Sequence, residues 1–132
     1  MSLRARDGLS LLEAVVALAI VGVTAVGALG AVAAESRAAE DARTTLEAEA
    51  LAVQQLALIE TLTGEELQRL PDSLARGTFD DPFARYRFTA TTTPVMGEEG
   101  LTRIRVEVVW EQGSFPMQTM LYRRPTLLET TP

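Results

Sequence analysis

The stretch Gly8-Leu9-Ser10-Leu11-Leu12-Glu13-Ala14-Val15-Val16-Ala17-Leu18-Ala19-Ile20 opens an apolar run that continues to Ala34 and carries one formal charge, Glu13. From Leu9 to Ala34 there are 26 residues, among them five Leu, six Val and one Ile. As a helix rising about 1.5 Å per residue, such a run is ~39 Å long, enough to cross a hydrocarbon core of about 30 Å. Glu13 lies roughly 6 Å inside its start, where a carboxylate costs less than at the bilayer centre. It is either a glutamate at the interface or one half of an ion pair completed by another chain.

Outward on the amino-terminal side, Arg4 and Arg6 against Asp7 give residues 1–8 a net positive charge. By the positive-inside rule this end stays cytoplasmic and the rest of the chain lies beyond the membrane. The apolar run exceeds the 7–15 residues usual for the core of a secretory signal peptide. An uncleaved signal anchor shares the topology but leaves Gly8 and Glu13 unexplained.

Gly8, Leu9, Ser10, Leu11, Leu12 and Glu13, after a short basic leader and at the head of an apolar helix, resemble the processing signal of type IV pilin-like prepilins. Leu9 stands where Phe or Met is commoner, and Ser10 where Thr is commoner. The resemblance implies cleavage by prepilin peptidase between Gly8 and Leu9, N-methylation of Leu9, and a subunit-assembly role for Glu13 against the charged amino terminus of a neighbouring subunit. An ammonium beside a carboxylate in a low-dielectric medium offsets desolvation that neither charge bears well alone.

Beyond Ala34 the polarity changes while the helical pattern persists. Leu46, Ala50, Val53 and Ala57 form one apolar line and Leu51, Leu58 and Leu62 a second, together a wide face suited to packing on a sheet. No Pro falls between Leu9 and Leu62, so one nearly continuous helix is expected, with Thr63-Gly64 as its stop and Gly64 as a left-handed cap. Gly22, Gly27 and Gly30 within the membrane half are read as close-packing filler or as points where the stem can loosen.

Glu65 to Leu70 is expected to add a short helix ended by Pro71. Asp72 to Ala84 reads as an irregular loop pinned to the core by Phe79 and Phe83. Asp80-Asp81 falls short of the six to eight oxygens a calcium ion takes and reads as turn chemistry. Tyr86, Phe88 and Ala90 then alternate with Arg85, Arg87, Thr89 and Thr91. Ile104, Val106, Val108 and Trp110 alternate with Arg103, Arg105 and Glu107, and Phe115, Met117 and Leu121 share a face of a third strand. Pro116 places that last strand at an edge or gives it an irregular start. An antiparallel meander of three or four strands follows, with a loose tail from Thr126 to Pro132.

The fold class is therefore α+β: a long N-terminal helix, membrane-spanning in its first half, packed on a small C-terminal antiparallel sheet in the pilin-like manner. The expected organisation is a leader at 1–8, a transmembrane half-helix at 9–34, a periplasmic amphipathic half at 35–62 and a small head at 63–132. Loss of the leader removes two Arg and one Asp, leaving 10 Arg against 17 Asp and Glu and a net charge of −7. With no Lys, His or Cys, the head has no disulfide, no soft metal site and no ordinary nucleophile-base pair, and it holds little attraction for nucleic acid. Neither catalysis, a cofactor, a metal nor a small-molecule substrate is expected.

Within the family, length, the segment Leu51-Ala52-Val53-Gln54-Gln55-Leu56 and the strand from Thr102 to Trp110 most resemble an I-type minor pseudopilin of type II protein secretion. That implies an inner-membrane subunit processed by prepilin peptidase, joined through its helix to other minor and major pseudopilins and incorporated into a periplasmic pseudopilus. A V-like minor pilin of a type IV pilus is the alternative. A membrane-anchored periplasmic binding domain is a third, needing a pocket that a small head barely accommodates.

Overall fold

The structure, a computed structural model, describes residues 3–124, with side chains from Ser10 onward. Met1, Ser2 and the tail expected at Thr126 to Pro132 lie outside the described residues. The architecture is α+β, one long helix and a four-stranded antiparallel sheet. The chain divides into two compact units, Met1–Ala42 and Arg43–Pro132.

The first unit is helical from Leu3. Helix α1 spans Leu3–Glu60, so it starts inside the expected leader rather than at Leu9 and stops short of Leu62. Leu3, Arg4, Ala5 and Arg6 are good helix formers, and Gly8 alone does not break the ladder. Every residue from Ser10 to Arg43 is exposed, including Leu11, Val15, Leu18, Val23, Val26 and Leu29. Exposed aliphatics along a whole segment are compatible with an apolar environment. The helix is long and apolar enough to cross a membrane, with a window of mean hydropathy 2.5 that is wholly unburied. Thr24 satisfies its hydroxyl internally, donating to the carbonyls of Val21 at 2.9 Å and Ile20 at 3.0 Å. Gly22, Gly27 and Gly30 leave the helix unbroken, and a Cβ at any of them would meet no other atom within 4 Å.

The second unit packs the end of α1 on the sheet. Ala48, Leu51, Ala52, Gln55 and Ile59 form the buried stripe of that helix, at spacings of three, one, three and four. This corrects the expected face in part: Leu51 is buried and Leu62 packs against the core as expected, but the other line does not. Leu46, Ala50, Val53 and Ala57 point away, with Leu46 65% and Val53 50% exposed, and Leu58 is also exposed. Small residues lie within this stripe: Ala48 and Ala52 are wholly buried, where a larger side chain would need room that a packed core lacks.

The helix ends in a turn and the chain re-enters helix at once. Thr63 caps α2 (Gly64–Gln68): its hydroxyl accepts from the Glu66 amide, and the Glu66 carboxylate accepts from the Thr63 amide at 2.9 Å. Gly64 is thus the first residue of a new helix and not the left-handed cap of the old one. Positive φ is confined, among the described residues, to Gly97 and Gly100. Leu67 seats α2 in the core, and the Thr92 hydroxyl donates to its carbonyl at 2.5 Å.

The segment expected to be wholly irregular contains α3 (Asp72–Ala75) and β1 (Arg76–Thr78). A three-residue strand carries too little alternation to be read from sequence. Gly77 explains its fit: a Cβ there would stand 2.9 Å from Cζ of Phe88. Strands β2 (Arg87–Pro94), β3 (Leu101–Trp110) and β4 (Gly113–Tyr122) complete a sheet of order β1-β2-β3-β4, every pair antiparallel.

Period-two alternation sets the two faces. Tyr86, Phe88 and Ala90 are buried, as are Ile104, Val106 and Val108, each of the last three with no exposed surface. Phe115, Met117 and Leu121 pack against this core from β4, and Phe79 and Phe83 close it from the loop before β2. Full burial of Ile59, Leu67, Tyr86, Ile104, Val106 and Val108 contributes about 1.5–3 kcal/mol each.

Candidate assembly site

Gly8 and Leu9, the residues of the expected cleavage and methylation, lie on the helical backbone of α1. Their side chains lie outside those described. Glu13 follows one turn later, in the same helix, exposed among exposed aliphatics. No hydrogen bond or ion pair to Glu13 occurs among the described residues. An unpaired carboxylate on an apolar helix surface is costly in lipid, and a cation from outside the chain relieves it. The chemistry a lone carboxylate offers at this position is electrostatic pairing with a cation.

The head brings together groups that sequence reasoning did not connect. Glu47, on the helix one residue before buried Ala48, receives the Tyr86 hydroxyl at 2.9 Å and an Arg85 Nη2 at 2.6 Å, both at Oε2. Its other oxygen accepts from Arg43 Nε at 3.2 Å. Arg85 Nη2 also donates to the Tyr86 hydroxyl at 2.8 Å, and its guanidinium lies 4.8 Å from the centre of the tyrosine ring. The Tyr86 ring, fully buried, meets Trp110 edge-on at 6.0 Å. The hydrogen bond from Tyr86, then that from Arg85, holds the Glu47 carboxyl below its ordinary value. Burial first, and donation to Glu47 second, pushes the Tyr86 phenol up. The bond to Glu47 likewise raises Arg85.

These residues fasten the helix to the loop entering β2 over 38 or more positions of sequence, so no local spacing announces them. Buried Gln55 acts similarly, its amide donating to the Leu74 carbonyl at 3.1 Å and so fixing α3. Arg123 ties the end of the sheet to the end of α1 through the Glu60 and Leu62 carbonyls. The cluster is anchorage, since each polar group is satisfied by the others.

An open groove of about 730 Å³ lies between α2 and the β2–β3 turn, with Glu65, Glu99, Arg123 and Arg124 among its lining residues. Its mixed charge and open shape offer no enclosed apolar floor for a small ligand. Asp80 and Asp81 gather no third acidic side chain, and no candidate metal cluster occurs among the described residues.

No family model, no curated protein and no solved structure matches this chain. The class of protein is defined by fold alone: an α+β head carried on a helix apolar enough to cross a membrane.

Proposed function

We propose that this chain is a minor pseudopilin of a type II protein secretion system. In this reading prepilin peptidase cleaves between Gly8 and Leu9, Leu9 is N-methylated, and the processed subunit waits in the inner membrane with its head in the periplasm. Its helix associates laterally with other minor and major pseudopilins to start or cap a periplasmic pseudopilus. Glu13 selects the register, because an unpaired carboxylate in lipid penalises every wrong alignment.

The observation that carries the reading is the setting of Glu13. It is the one carboxylate between Leu9 and Ala34, five residues after Gly8, and no ion pair to it occurs among the described residues. Helix α1 runs unbroken over Leu3–Glu60. The experiment is a deletion strain scored in parallel for secreted enzymes and for surface pili. Loss of secretion with intact pili is the expected result. Loss of pili with intact secretion assigns the chain to a type IV pilus, and loss of neither leaves an anchored binding domain.

A further inference from the structure

We propose that the open groove between α2 and the β2–β3 turn is the seat of the chain's own carboxy-terminal segment, Pro125 to Pro132, which lies outside the described residues. The inference concerns the head alone and is independent of the pseudopilin reading.

The groove lies where β4 ends. Thr63 and Glu65 line one wall and Glu99 and Gly100 the other, with Arg123 and Arg124 also in the lining. Arg123 bridges the two walls: its amide donates to the Gly100 carbonyl at 2.8 Å, and its guanidinium donates to the Leu62 carbonyl at 3.4 Å. A second hollow of about 490 Å³ shares Gln68 and Gly100 with the first and extends it to Val95 and Leu101. The last described residues of the chain thus already stand in the groove.

The sequence ends sheet pairing at this point. The Arg123 amide faces the β2–β3 turn, and alternation along an antiparallel ladder makes residue 125 the next to do so. Pro125 has no amide to give. The same proline biases Arg124 toward extended backbone. Pairing stops while the chain stays extended, so the segment is free to follow the groove.

Length and chemistry fit. The five-residue wall of α2 is roughly 7.5 Å long. Extended residues advance about 3.3 Å each, which sets Leu127 and Leu128 roughly 10 and 13 Å beyond Arg124. They reach the far end of the wall, where Val95 and Leu101 are only half-buried. Burial of two leucines there offsets the entropy of ordering the segment. Glu129 follows at roughly 17 Å, past the carboxylates of Glu65 and Glu99. Its counterpart is Arg69, which caps the end of α2, is exposed, and has no ion pair among the described residues.

Tethering decides between occupants. The segment starts inside the groove, which raises its local concentration to the order of millimolar. A second copy's segment carries the same residues but lacks that advantage. The open shape and mixed charge that make the groove unsuited to a small ligand suit an extended chain, whose outer backbone groups stay hydrated.

The test uses the full chain in detergent micelles at low and at high concentration, and it exploits the absence of cysteine from the sequence. Gln68→Cys combined with Leu128→Cys should form an intramolecular disulfide on mild oxidation, at a rate independent of concentration. That rate should be at least fivefold above the rate for Ser114→Cys combined with Leu128→Cys. Ser114 lies ten residues before Arg124, roughly 33 Å back along β4 and beyond the reach of Leu128. In the unmodified chain, truncation after Arg124 should shift the methyl resonances of Val95 and Leu101 while leaving those of Val106 and Val108 in place. Leu127→Ser combined with Leu128→Ser should reproduce those shifts. Equal rates for the two cysteine pairs, or methyl resonances unmoved by truncation, overturn the proposal. A disulfide that forms only between chains, at a rate rising with concentration, overturns it too, because the occupant is then a second copy.

Discussion

The hydroxyl of buried Tyr86 donates to the carboxylate of Glu47 at 2.9 Å, joining the loop before β2 to the helix 39 residues earlier. Glu47 is held charged by that bond and by Arg85, so its folded-state pKa lies below the ordinary 4.5. A carboxylate with a lowered folded pKa contributes stability that is fully present above the unfolded value and is lost as pH falls through the folded one. Denaturant unfolding of the head should therefore show stability declining below about pH 4.5, where the unfolded state begins to take up protons. Glu47→Gln should flatten part of this decline, Glu66 supplying another part because the Thr63 amide and hydroxyl lower its pKa as well. Tyr86→Phe should cost about 1 kcal/mol at neutral pH. An unchanged pH profile in Glu47→Gln would show that the carboxylate carries no such linkage.

The buried stripe of α1 makes opposite predictions for its two faces. Ile59→Ala should destabilise the head by about 2–5 kcal/mol, as truncation of a fully buried side chain does. Leu46→Ala and Val53→Ala, on the exposed face, should change stability by no more than about 0.5 kcal/mol. Thermal or urea unfolding of the three variants separates this orientation from the reverse one.

Gly100 and Gly64 should respond differently to alanine. Gly100 has φ +83°, and a Cβ there would collide with the carbonyl of Arg123, whose amide donates to the Gly100 carbonyl. Gly100→Ala should cost about 1–3 kcal/mol or more. Gly64, in the first turn of α2 with open space around it, should tolerate alanine or gain from its helix propensity. The melting temperatures of the two variants decide the matter.

Glu13→Leu should leave the head folded and the chain inserted in the membrane. Cross-linking to other helices of the proposed assembly should fall at least tenfold, because the register-selecting charge is gone. Membrane fractionation alongside cross-linking yield measures both effects, and undiminished cross-linking would remove Glu13 from the assembly account.

The strands were legible in the sequence because a half-buried sheet forces alternation: Tyr86, Phe88 and Ala90, like Ile104, Val106 and Val108, face the core as their spacing requires. Pro116 marked β4 as an edge for an equally local reason, the missing donor. The facing of α1 was legible at Leu51 but not at Ala48 and Ala52, because alanine carries little hydrophobic weight although both are wholly buried. Thr63 and Glu66 do carry a readable capping pattern, but Gly64 between them offered a competing stop. Glu47, Arg85 and Tyr86 converge only through tertiary folding. The role proposed for Glu13 came from its motif and involves a pairing that one chain cannot display.

The central claim is that the chain is processed as a prepilin. Mass spectrometry of the amino-terminal peptide, purified from its native membrane, tests it most directly. The account predicts a chain beginning at Leu9 and carrying an N-methyl group, with residues 1–8 gone. A chain that retains Arg4 and Arg6 ahead of an intact Gly8–Leu9 bond would contradict it.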